Sequence, residues 1–66
     1  MRDVNRLYKL YAELTALHLQ EALDVRFGQL FYNFMRWLDC EHRKDIFYIE
    51  DDELIKYMKE YLHVEE

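Results

Sequence analysis

Apolar residues recur along most of this chain at intervals of three and four, the spacing that lines one face of an α-helix. Between residues 4 and 23, Val4, Leu7, Leu10, Tyr11, Leu14, Leu17 and His18 fall along one side. A second row, Tyr8, Ala12, Thr15, Ala16, Leu19 and Leu23, widens the apolar arc to roughly 240° and leaves Arg6, Lys9, Glu13 and Gln20 as a narrow polar stripe. This pattern predicts a helix over 4–23 that is covered on two sides. The carboxylate of Asp24 suits an N-cap, so a second helix is expected over 24–39. Its apolar residues Phe27, Leu30, Phe31, Phe34, Trp37 and Leu38 share one face, and Arg26, Gln29, Asn33 and Arg36 take the other. Gly28 costs about 1 kcal/mol against alanine inside a helix, and a close helix approach is its expected compensation.

Residues 40–45 carry no apolar period and read as the loop of the chain. Ile46-Phe47-Tyr48-Ile49 has β-strand character, yet a lone strand has no partner here. An extended or single-turn segment is expected instead, with Phe47 plugging the end of the core. Glu50, Asp51, Asp52 and Glu53 then favour a helix start through the macrodipole, which predicts a third helix over 51–62 burying Leu54, Ile55, Met58, Tyr61 and Leu62. Short links between three helices give an all-α, compact three-helix domain occupying 1–66, with an antiparallel hairpin for the first pair.

Composition sharpens this picture. In 66 residues there are eleven Phe, Trp and Tyr side chains, one glycine, one cysteine and no proline. A folded chain this short buries only about 60% of its unfolded surface, so its own core cannot hold all eleven rings. Phe27, Phe31, Phe34, Trp37 and Tyr61 are the expected core aromatics, and Tyr8, Tyr11, Tyr32 and Tyr57 are expected on flanks. A homodimer follows as an expectation, with Tyr8, Tyr11, Ala12, Thr15, Leu19 and Tyr32 at its interface.

Function classes fall away for physical reasons. There is no glycine-rich loop to cradle a phosphate. Cys40 has no partner within the chain, and no apolar run approaches the roughly 20 residues that cross a bilayer. The N-terminal residues are peppered with charge rather than forming a signal peptide's apolar stretch. A cytoplasmic protein without membrane association is expected.

The net charge of -5 is unevenly spread. Residues 1–44 hold seven Lys or Arg and six Asp or Glu, whereas residues 45–66 hold two and eight. Direct nucleic-acid binding, which neutralises phosphates, is therefore not expected. The acidic start of the third helix can attract a basic partner or only stabilise that helix, with Glu65 and Glu66 as a frayed tail. His18 and Glu21 form a reversed half of a di-metal helix motif, and Cys40 and His42 lack a second ligand pair at zinc spacing. No catalytic residue, metal or cofactor is expected. Arg26, Gln29, Asn33 and Arg36, with Asp51, Asp52 and Glu53, are the candidate partner-binding residues, although Arg26 can instead pair with Asp51 or Asp52.

Two blocks carry a resemblance. Asp24-Val25-Arg26-Phe27-Gly28-Gln29-Leu30 with Asn33, and Asp45-Ile46-Phe47-Tyr48-Ile49-Glu50-Asp51-Asp52-Glu53-Leu54, resemble a group of short, uncharacterised proteins of bacteria and their phages. Those proteins often carry an R-F-G-Q-L block, an asparagine shortly after, and a D-P-F-Y-I-E-D-D-E-L-like block. Ile46 stands here where proline is common. The resemblance spans roughly residues 24 to 62 and implies a phage-type protein that binds and disables host defence machinery in the host cytoplasm. It implies no catalytic residue. The expected mechanism is steric or allosteric inhibition of a partner protein. The alternatives are an acidic nucleic-acid mimic in a nuclease or helicase groove and a bacterial toxin-neutralising or regulatory partner.

Overall fold

The computed structural model describes residues 3–64, so the Glu65–Glu66 tail lies outside it. The Asp3 carboxylate accepts the backbone N–H of Asn5 at 2.9 Å, and α1 runs from Asn5 to Glu21. Helix α2 spans Phe27–His42, and α3 spans Asp51–Tyr61. Between them Ile46–Tyr48 forms one 3-10 turn. Among the described residues the fold is all helix, as the three- and four-residue spacings predict.

The boundaries shift for local reasons. Asp24 is not an N-cap; it lies in the turn after α1, and Arg26 occupies the cap position of α2. There the Gln29 side chain reaches back and accepts the Arg26 backbone N–H at 3.3 Å, satisfying a donor that the helix start leaves free. The expected loop at 40–45 is shorter, because α2 continues through Cys40, Glu41 and His42. It stops at Arg43, whose left-handed φ of 54° lets its N–H close on Asp39 while Lys44 N–H reaches Leu38. Asp45 then accepts the Phe47 N–H at 2.9 Å and pins the 3-10 turn.

The core is a cluster of Leu17, Leu30, Phe34, Leu38 and Met58, with Trp37, Leu54, Tyr57, Tyr61 and Leu62 packed against it. Ile55 is buried on α3 as well. Phe34 is the centre of the aromatic packing, with Trp37 at 6.0 Å, Tyr61 at 5.9 Å and Phe31 at 6.2 Å between ring centroids. Ring pairs at these separations add roughly 0.5–1.5 kcal/mol each beyond area burial.

Five expectations about packing are corrected. The closest helix pairing is α1 with α3, not an α1–α2 hairpin. The N-termini of α1 and α3 meet, and the Arg6 guanidinium pairs with the Asp51 carboxylate. Asp51 is therefore held by Arg6 and not by Arg26, which is exposed. Phe47 does not plug the core: it is 81% exposed, and Ile46 and Ile49 pack inward in its place. Their spacing of three matches one 3-10 turn, which leaves the two intervening rings outward. Phe27, the first residue of α2, is also outside the core and is exposed. A Cβ on Gly28 would meet nothing within 4 Å, so no close helix approach explains that glycine.

Candidate functional site

The divergence of α1 from α2 opens a groove of about 570 Å³. Leu14, Tyr11 and Thr15 of α1 form one wall, Phe27 and Phe31 of α2 the other, and Leu17, Leu30 and Met58 the floor. At the closed end the His18 ring donates Nε2–H to the Val25 carbonyl at 2.6 Å. A carbonyl only accepts, so this contact requires a proton on Nε2. His18 is thereby a clamp on the α1–α2 turn, half-buried and 6.4 Å from the Phe27 ring. Glu21, the other half of the reversed metal motif, is exposed on the same helix.

The exposed surface of α1 continues this groove. Val4, Tyr8, Tyr11, Leu19 and Leu23 are each 59–74% exposed. Ala12 and Thr15 lie exposed among them. The expected polar stripe is split: Lys9 and Gln20 are exposed, whereas Arg6 and Glu13 are half-buried and Arg6 reaches α3. The whole second apolar row, Tyr8, Ala12, Thr15, Ala16, Leu19 and Leu23, is presented outward. Tyr32, the remaining candidate interface residue, stands apart on α2 with the Arg36 guanidinium 5.8 Å from its ring centroid.

A second apolar feature projects from the 3-10 turn. Phe47 and Tyr48 are 81% and 78% exposed and pack edge-on against each other at 4.9 Å. This pair was not among the candidate residues. Its signal in the sequence is the inward pair Ile46 and Ile49 behind the Asp45 cap, which fixes the direction of the residues between them.

The polar candidates separate into two kinds. Arg26, Gln29, Asn33 and Arg36 are all exposed, and Gln29 also serves the helix start. Asp51 is half-buried and structural, Asp52 accepts the Glu53 N–H at 3.0 Å, and Glu53 is exposed. Cys40 is exposed, whereas His42 turns to Glu60 at 3.1 Å and stacks against Tyr57 at 4.7 Å, so the two do not converge. Among the described residues no group of three or more His, Cys, Asp or Glu can hold a metal ion, and no helix is long and apolar enough to cross a membrane. No protein-family model, curated protein or solved structure matches the chain.

Proposed function

We propose that this chain is a small protein-binding module that acts as a homodimer and blocks a partner protein by steric or allosteric inhibition. One observation carries the reading. Among the described residues six hydrophobic side chains are buried, while twelve large ones remain exposed, six of them aromatic. Contiguous exposed apolar surface marks interaction sites, and aromatic anchors dominate the energetics of interfaces. The Phe47–Tyr48 pair is the proposed anchor toward the partner, flanked by the exposed side chains of α2 and the start of α3. The resemblance of the two sequence blocks to short phage and bacterial proteins supports the narrower form, a phage-type inhibitor of a host defence protein.

The test is capture from host cytoplasm by the tagged chain and by a Phe47→Ser/Tyr48→Ser variant, read by mass spectrometry. Both rings are exposed, so the variant is expected to keep the wild-type far-UV circular dichroism. A host protein retained by the wild type and lost by the variant is the expected result. Repeated recovery of no host protein overturns the proposal. Retention that vanishes with moderate salt and with Asp52→Lys/Glu53→Lys, but survives loss of both rings, replaces it by nucleic-acid mimicry.

A further inference from the structure

The α1 face beside the groove has the properties of a helix-pairing surface. Val4, Leu7, Tyr8, Tyr11, Ala12, Thr15 and Leu19 occupy an arc of about 140° that contains no Asp, Glu, Lys or Arg. With Leu23 and Phe27 at its end, the exposed side chains offer on the order of 800 Å² of largely apolar surface, about what each partner contributes to a stable interface. A copy of this chain is a partner that an uncharged face admits despite the net charge of -5, because a two-fold axis there brings no like charges together.

We infer that a second copy covers this face of α1 beside the groove, with the two α1 helices antiparallel and Ala12 level with the partner's Thr15. In that register Tyr8 meets the partner's Leu19, and the small residues lie at the axis, where the backbones approach most closely. Each contact is repeated by the symmetry, as an isologous interface requires. Antiparallel packing also opposes the two helix dipoles. Helix α1 of one copy then covers the exposed apolar row that α1 of the other presents. The inference rests on the homodimer part of the proposed function and adds the direction and the register.

The experiment uses the full chain with Cys40→Ser as background. Ala12→Cys and Thr15→Cys proteins are mixed and oxidised, and the cross-linked species are identified by mass. A disulfide between position 12 of one copy and position 15 of the other, in preference to 12 with 12, is expected. Sedimentation of the unmodified chain at micromolar concentration should show a dimer. Ala12→Glu, at an exposed helical position, should raise the dimer dissociation constant at least about tenfold while leaving the far-UV circular dichroism unchanged. A dimer that tolerates Ala12→Glu, or that cross-links 12 with 12 in preference to 12 with 15, overturns this geometry and leaves the homodimer standing. A strictly monomeric chain overturns both.

Discussion

Helices α1 and α2 have nearly equal length and similar numbers of apolar residues, yet they are used differently. Helix α2 buries Leu30, Phe34 and Leu38 on one seam and keeps its polar residues outside. Helix α1 buries Leu17 alone, although its apolar arc is wider. The difference lies in what each helix packs against. Both rest on α3, but α3 is only 11 residues long and offers one apolar edge to each neighbour. An apolar arc of roughly 240° cannot be covered by one such edge, and α2 diverges instead of closing over it. A broad apolar arc on a helix is thus a statement about how many neighbours it requires, and the folded chain supplies too few.

The largest expected effect tests whether α2 is the seam that holds the domain. Phe34→Ala, at a fully buried ring, should cost about 3–5 kcal/mol, a large part of the stability of a domain this size. Tyr8→Ala on the exposed face of α1 should change monomer stability by less than about 0.5 kcal/mol. Urea titration of both variants, at a concentration where the chain is monomeric, measures the contrast, and equal losses would break the comparison.

A smaller effect concerns the join between α1 and α3. Arg6 and Asp51 are each about one-third exposed, and Arg6 Nε is buried without a hydrogen-bond partner. A double-mutant cycle on Arg6 and Asp51 should give a coupling of about 1 kcal/mol, above the usual value for a fully exposed pair. The same cycle on Arg26 and Asp51 should give none. A coupling at Arg26 would place α2, not α1, against the start of α3.

The smallest effect sits at the start of α2. Gly28→Ala should stabilise the chain by about 0.5 kcal/mol, because open space surrounds the position and alanine restricts the unfolded chain. A loss of stability, read as an earlier urea midpoint, would mean that the groove closes on Gly28.

Helix periodicity made the fold class legible, since the spacings around Leu17, Phe34 and Met58 each point to a buried face. The exposed status of Tyr8, Tyr11 and Tyr32 was legible from composition, because a chain this short cannot enclose eleven rings, and that of Ala12, Thr15 and Leu19 from the second apolar row of the first helix. Six of those eleven, Tyr8, Tyr11, Phe27, Tyr32, Phe47 and Tyr48, are indeed exposed. What periodicity does not encode is which helices touch. The pairing of Arg6 with Asp51 spans 45 positions and depends on the direction in which α3 returns. Phe47 was misplaced for a related reason: hydrophobicity predicts burial, but a 3-10 turn with Ile46 and Ile49 inward sends the larger ring out. Asp24 was misplaced because a good capping residue was available two positions before the actual cap, Arg26.

The single tryptophan of the chain is wedged among Phe34, Tyr61 and His42, with His42 at 5.1 Å and Tyr61 at 5.3 Å between ring centroids. Its fluorescence therefore reports on the junction of α2 with α3. No residue of α1 stacks on it in these ring contacts. An emission-monitored melt would follow one half of the molecule, and detachment of α1 would pass with little change in colour or intensity. Comparing that melt with far-UV circular dichroism, which counts all three helices, would reveal whether the two halves let go together.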